Sequence, residues 1–308
     1  MMSLPYTKLD DFLSALDEME RPLTVVAHQD DECTFSGVLT RAADRMRLLW
    51  LTNGDGLYFM ENISPKEYGE IRMAEAVKSA KAVGISKNRT KCLKYSEVDI
   101  YQRMMFVTDN QEATIWLKPW FQKIIDDVTD RIFEYKPQCV FTCAYQGGNP
   151  EHDLTHYFTR LAVDAYEKDT GEVVPFIHVP MYEYTVLVAL RFNPFYRGLK
   201  WQYKLNDLEK ENKMKMFEAY PSQVELFEKF QKVVKGVGML GLLTRGRPYS
   251  AEEYLSVEEW GPVPEDWDYL KNPHRLDIAN YIGDHFGKVP ISFDKSIRPI
   301  IAAFPRQK

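Results

Sequence analysis

Cysteine is scarce in this sequence: four in 308 residues, too few for a disulfide framework in so long a chain. Cys139 and Cys143 fall within the apolar run QCVFTCA, where a small buried hydrophobe is the expected use. No apolar run reaches membrane-spanning length, so a bilayer-crossing helix is not expected. No block of Lys or Arg stands out and the formal net charge is −6, which argues against a nucleic-acid partner. The opening MMSLPYTKLDDFLSALDEMERP carries acids where a secretory signal needs an apolar stretch. Leu9, Phe12, Leu13 and Leu16 stand there at helical spacing and predict a short amphipathic helix. A reducing cytoplasm fits these features. Internal repeats and low-complexity stretches are missing too. With 45% hydrophobic and 27% charged residues, the composition is that of a globular protein able to bury a full core.

What is present is an alternation of strand-like and helix-like segments. LTVVA (23–27) is a short apolar run, followed by a helical pattern from about Glu32 to Arg45. RLLWLTNGDG (47–56) is a strand ending in a Gly-rich turn. A helix is predicted over about 66–83, with Ile71, Ala74, Val77, Ala80 and Ala82 on its apolar side and Gly84 as its stop. KCLKY (91–95) is a weaker strand, 111–135 has helical periodicity, QCVFTCA (138–144) is a buried strand, and a helix follows from about Glu151 to Glu167. FIHVPMY (176–182) is a further strand. This order predicts an α/β fold: a Rossmann-like, open, mostly parallel sheet with helices on both faces. Residues 203–235 are charged and helical, interrupted at Tyr220-Pro221-Ser222, and beyond 236 the chain is rich in Gly, Pro and Trp. The expected organisation is one domain over 1–235, with an irregular C-terminal extension, 236–308, packed on it.

Two polar clusters follow strands. LTVVA runs into His28-Gln29-Asp30-Asp31-Glu32. In a parallel sheet, ligands bind in the crevice beyond the strands' carboxyl ends. A His and an Asp three residues apart converge on one cation if the chain turns between them, and imidazole plus carboxylate is ordinary zinc ligation. Three consecutive acids also suit the first turn of a helix, with Asp30 or Asp31 as a cap and no function. The second cluster follows QCVFTCA: Tyr145-Gln146-Gly147-Gly148-Asn149-Pro150-Glu151-His152-Asp153-Leu154-Thr155-His156. Both clusters should face one crevice. A third ligand from His152 gives zinc a set of two histidines and an aspartate with an open position, the catalytic rather than the structural pattern. His152 and His156 are four apart on one helix face, but no His-Glu-x-x-His is present. A supporting or core role is expected for His156.

At these residues the chain resembles the PIG-L/LmbE-like family of zinc-dependent de-N-acetylases. Ala27-His28-Gln29-Asp30-Asp31-Glu32 is similar to that family's Ala-His-Pro-Asp-Asp-Glu, and Gly147-Gly148-Asn149-Pro150-Glu151-His152-Asp153 to its Gly-Gly-His-Pro-Asp-His-Asp. Thr52-Asn53-Gly54-Asp55, Arg72-x-x-Glu75…Ala82-x-Gly84 and Lys215…Ala219-Tyr220-Pro221-Ser222-Gln223 resemble further stretches, so the likeness spans about residues 21–225. The resemblance implies one zinc ion per chain held by His28, Asp31 and His152, with Asp30 as general base. It implies Arg72 as a contact to a substrate hydroxyl and Asp55 in the pocket lining, although a Gly-Asp turn needs no function. Gln29 stands where the family has a turn-shaping Pro. Asn149 replaces a His that helps stabilise the oxyanion; an amide can donate a hydrogen bond there but cannot shuttle a proton. Asp30 would then both take a proton from water and return it to the leaving amine.

The implied function is hydrolysis of an N-acyl, above all N-acetyl, group on an amino sugar or related amine. The partner is a small molecule, an N-acylated sugar conjugate; homo-oligomerisation stays open. Two other readings are a metal-dependent phosphoesterase and a non-catalytic, metal-containing sugar-binding protein of the same fold. Trp201, Tyr203, Trp260, Trp267 and Tyr269 could wall a sugar, but packing is their commoner use.

Overall fold

The structure, a computed structural model, describes residues 6–183, 188–238, 250–273, 281 and 290–306. The apolar runs become parallel strands: β1 (Pro22–Val26), β2 (Arg47–Thr52), β3 (Thr90–Tyr95), β4 (Cys139–Cys143) and β5 (Phe176–Val179). A two-stranded piece, β6 (Tyr182–Glu183) with β7 (Val188–Ala189), stands apart from the main sheet. β8 (Trp201–Lys204) and β9 (Val257–Pro262) complete a seven-stranded sheet of order β3-β2-β1-β4-β5-β9-β8. β9 runs antiparallel to both β5 and β8, so the sheet is mixed but mostly parallel, as the alternation predicts.

The helices that frame the sheet include α1 (Leu9–Glu18), α2 (Ser36–Arg41), α3 (Pro65–Ala82), α4 (Glu97–Asp109), α5 (Ala113–Tyr135), α6 (Pro150–Thr170), α7 (Asp207–Glu218) and α8 (Val224–Gly238). Side-chain alternation along each strand divides the core into two layers. Leu23, Val25, Leu49, Leu51 and Val140 pack against α4, α5 and α6, as do Phe293, Ile297, Ile300 and Ile301 from the end of the chain. Val26, Leu48, Trp50 and Phe141 face the other way, onto α1, α2, α3 and α7. Each such fully buried aliphatic or aromatic side chain contributes roughly 1.5–3 kcal/mol relative to exposure.

The strand order fixes the site. From β1 the chain progresses outward through β2 and β3, then returns to place β4 on the opposite side of β1. β1 and β4 are therefore neighbours, with Val25 opposite Thr142, at the point where the direction of winding reverses. The segments leaving these two strands open onto the ligand crevice of such sheets. They are the two polar clusters.

Several local expectations are corrected. The helical pattern from Glu32 is first a 3-10 turn, Asp31–Phe35, and only then the short α2. α4 was not legible as a periodic segment, although Ser96 caps it by accepting from the Asp99 N–H. α3 forms where predicted, opened by Ser64 and Glu67 in a reciprocal cap, but it buries a different face. Ala80 is buried as expected, but Ile71 is 42% exposed and Ala74 is exposed, whereas Arg72, Glu75, Ala76 and Ser79 are buried. The charged residues go inward because each finds a partner there. Trp201, Tyr203 and Trp260 join the core beside Phe12, and Tyr269 is buried among Tyr145, His156 and Tyr157, so packing is what these aromatics do.

Candidate functional site

Leaving β1, the chain turns sharply at Asp30, whose φ of 103° is left-handed backbone that Asp tolerates better than most residues. Glu32 holds this turn. Its carboxylate is fully buried and accepts from the Asp30 N–H (2.9 Å), Trp50 Nε1 (3.1 Å), Ser79 Oγ (2.6 Å) and the Tyr220 hydroxyl. Gln29 is buried and donates through Nε2 to the Thr52 carbonyl at 2.7 Å, tying the turn to the end of β2. The β2 turn lies close against it: Gly54 has φ 75°, and a Cβ there would stand 2.2 Å from Gln29 Oε1. With the positive φ, this close approach favours glycine at that position.

After β4, Asp153 shapes the second segment by accepting the N–H groups of Gln146 (3.0 Å) and Gly147 (3.1 Å) and the Tyr281 hydroxyl (2.8 Å). Asn149 is the N-cap of α6, its Oδ1 accepting from the N–H groups of Glu151 (2.7 Å) and His152 (3.2 Å). Pro150 follows at the first helical position, where its missing donor does no harm. The cap places His152 in the first turn of the helix, aimed across the crevice at the β1 loop.

There the two clusters meet. His28 Nδ1 is 3.1 Å from His152 Nε2 and 3.4 Å from Asp31 Oδ2, and His152 Nε2 is 3.0 Å from Asp31 Oδ1. Two imidazole nitrogens and a carboxylate thus converge from separate strands. Bonds of 2.0–2.1 Å in a tetrahedral zinc site put adjacent ligand atoms ~3.3 Å apart. The observed edges match that spacing, so the residues fit a small divalent cation. Asp31 also accepts the His28 backbone N–H at 2.8 Å, which fixes its carboxylate. Burial would push the Asp31 carboxyl up, but His152 and His28 beside it hold it below the usual range.

Asp30 stands outside this trio. Burial pushes its carboxyl up to about 7, with Arg72 opposing and Asp31 reinforcing the shift. Arg72, from α3, approaches Asp30 Oδ2 with Nη2 at 3.1 Å, donates to the Gln29 carbonyl, and stacks its guanidinium over Tyr220. Glu75 lies 3.6 Å from Arg72 and accepts from the Ser222 N–H and hydroxyl, so the Tyr220–Gln223 stretch is latched to α3. Asp55 is buried, and its carboxylate accepts from the Glu97 N–H (2.8 Å), Ser96 Oγ (2.7 Å) and Asn53 Nδ2 (3.1 Å) at the start of α4.

Sequence reasoning missed two acids. Glu97, brought in by α4, and Glu151, beside His152, approach the far nitrogen of His28, with Glu151 Oε2 2.7 Å from Nε2. Burial pushes both carboxyls up; Asp55 adds to the shift of Glu97, and Glu97 adds to that of Glu151. Glu151 lay within the second motif without a role; Glu97 carries no local signal. His156 lies away from the cluster: Nδ1–H donates to the Cys143 carbonyl at 2.7 Å and Nε2 accepts from the Tyr269 hydroxyl at 2.9 Å. It is a satisfied core histidine. A cavity of about 830 Å³ lies elsewhere, among Lys118, Phe133, Leu161, Lys168 and Phe304.

Fold and site together define an α/β protein with a two-histidine, one-aspartate cluster at the switch point of its sheet. Residues 23–163 match the model of the PIG-L family, described as GlcNAc-PI de-N-acetylase, which bears out the resemblance seen in the motifs. Among solved structures, the chain is similar to a deacetylase of teicoplanin biosynthesis (18% identity, TM-score 0.57, 80% of this chain and 100% of that one). It is also similar to the zinc-inhibited form of teicoplanin deacetylase Orf2 (15%, 0.52, 80% and 100%) and to N,N'-diacetylchitobiose deacetylase from Pyrococcus horikoshii (18%, 0.51, 85% and 95%). At these identities the likeness is one of fold. No curated protein sequence matches the chain significantly.

Proposed function

We propose that this protein is a zinc-dependent hydrolase that removes an N-acyl group, in the first place N-acetyl, from an amino sugar conjugate. One observation carries the reading: His28, Asp31 and His152 bring three electron-pair donors to a common point at the mouth of a fold matched by the PIG-L family. The names of the three similar structures given above, each a deacetylase, support it. A single zinc ion held by the three would supply Lewis acidity, polarising the amide carbonyl and lowering the pKa of water.

The chain's own residues account for the proton and the developing charge. Asp30, next to the trio but not in it, takes the proton of the attacking water on its carboxylate and returns it to the leaving amine. Arg72 orients that carboxylate through the ion pair at Oδ2. Asn149 spends Oδ1 on the cap of α6, which leaves Nδ2 to donate to the oxyanion that develops on the carbonyl. Arg72 is the candidate contact for a substrate hydroxyl, and Asp55 supports the crevice by holding the start of α4. No described helix is long and apolar enough to cross a membrane. All four cysteines are free and buried, which supports a cytoplasmic protein.

The test is metal analysis followed by a deacetylation screen over N-acetyl sugars with differing aglycones. One zinc per chain with acetate release from at least one class is expected. A protein that never takes up metal would end the reading. One zinc with no turnover on any substrate would favour the non-catalytic sugar-binding alternative, which the Asn149 replacement supports.

A further inference from the structure

The trio leaves the other side of the His28 ring unexplained. Nε2 points away from Asp31 and His152 and meets Glu151 Oε2 at 2.7 Å, a distance suited to an N–H donating to a carboxylate. Glu151 is 1% exposed, and its other oxygen, Oε1, is buried without a hydrogen-bond partner among the described residues. Among the described residues, the one side-chain hydrogen-bond partner of Glu151 is therefore His28. The carboxylate also sits in the first turn of α6, where the helix dipole favours negative charge.

An imidazole that presents a lone pair on one nitrogen carries its proton on the other. The orientation and tautomer of a metal-binding histidine are commonly set by an acceptor behind it. We propose that Glu151 is a positioning residue: by accepting the Nε2–H of His28 it turns Nδ1, with its lone pair, toward Asp31 and His152. This rests on the metal site proposed above. Glu151 does not touch the metal in this arrangement. Glu97, Glu151 and Nε2 could alternatively be taken as a second cation site, since their ligand atoms also cluster. That would strip both protons from one ring, and the 2.7 Å contact is already what a retained Nε2–H makes with a carboxylate.

The experiment measures zinc affinity of the full chain by competition with a chromophoric chelator, for wild type, Glu151→Ala and Glu151→Gln. It is paired with ¹⁵N NMR of the histidine rings in the zinc-loaded wild type. Glu151→Ala should bind zinc ~10–100-fold more weakly. Glu151→Gln, whose amide oxygen still accepts the N–H, should recover part of that loss. The NMR should show His28 bound through Nδ1 with its proton on a hydrogen-bonded Nε2. Zinc held through Nε2 overturns the proposal, even if no variant folds. So does an affinity within twofold of wild type in Glu151→Ala, or saturation at two zinc ions per chain. A wild type that binds zinc yet ignores Glu151 defeats this inference alone; a wild type that binds none defeats the metal reading with it.

Discussion

Arg72 Nη2 stands 3.1 Å from Asp30 Oδ2 in a site where the arginine side chain is 4% exposed and the aspartate 15%. Removing one partner of a buried pair strands the other charge, a loss of about 3–5 kcal/mol. Arg72→Met should therefore lower the unfolding free energy, read from urea denaturation, by an amount in that range, and Arg72→Lys by less. Stability within 1 kcal/mol of wild type (roughly the weight of an exposed pair) in Arg72→Met would show that the pair is not what holds the turn.

Asp30→Asn removes the proton acceptor but none of the three converging ligands. Zinc content should stay at one per chain while turnover falls by ~10²–10⁴. Normal turnover in the zinc-loaded variant would remove Asp30 from the proton pathway.

Asn149 has two duties that substitution can separate. Asn149→Ala loses the cap of α6, typically about 0.5–2 kcal/mol of stability, as well as the amide donor. Asn149→Asp keeps an oxygen for the Glu151 and His152 N–H groups but has no amide to donate. It should fold with near-native stability and lose ~10²–10³ in kcat, measured as acetate release. Equal kcat in wild type and Asn149→Asp would place oxyanion stabilisation elsewhere.

Burial lowers the pKa of His156 to about 3 and holds that of His178 well below the ordinary value. The unfolded chain, with histidine near 6.5, takes up these protons first as pH falls. Stability contributed by the neutral rings is complete above about pH 6.5 and drains away toward the folded-state values, at about 1.4 kcal/mol per pH unit for each. Urea midpoints should fall between pH 7 and pH 5, and less steeply in His156→Gln. Parallel profiles would mean that His156 titrates alike in both states.

The strands β1, β2, β4 and β5 and the helices α5 and α6 were legible because their burial is written as unbroken apolar runs or as 3.6-residue periodicity. The C-terminal strand was not. β9 reads VEEWGP, and its two glutamates are buried: Glu258 against Lys213 Nζ (3.0 Å) and Ser36 Oγ (2.7 Å), Glu259 against the Phe192 N–H (2.9 Å). Partners so far away in sequence turn a charged segment into a core strand, and hydropathy cannot see them. The same holds for α3, where Arg72 and Glu75 displaced the apolar face. In the site, His28, Asp31 and His152 were legible as motif residues at strand ends; Glu97 was not, because the topology alone carries it to His28.

Because β9 lies between β5 and β8, the sheet is finished by residues far beyond 235. A chain cut at that point would leave β5 with a bare hydrogen-bonding rim and β8 without its paired strand. Exposed rims of this kind recruit strands from other molecules. Shortened versions should thus clump rather than stay monomeric, because β9 is the strand that joins β8 to the parallel part of the sheet.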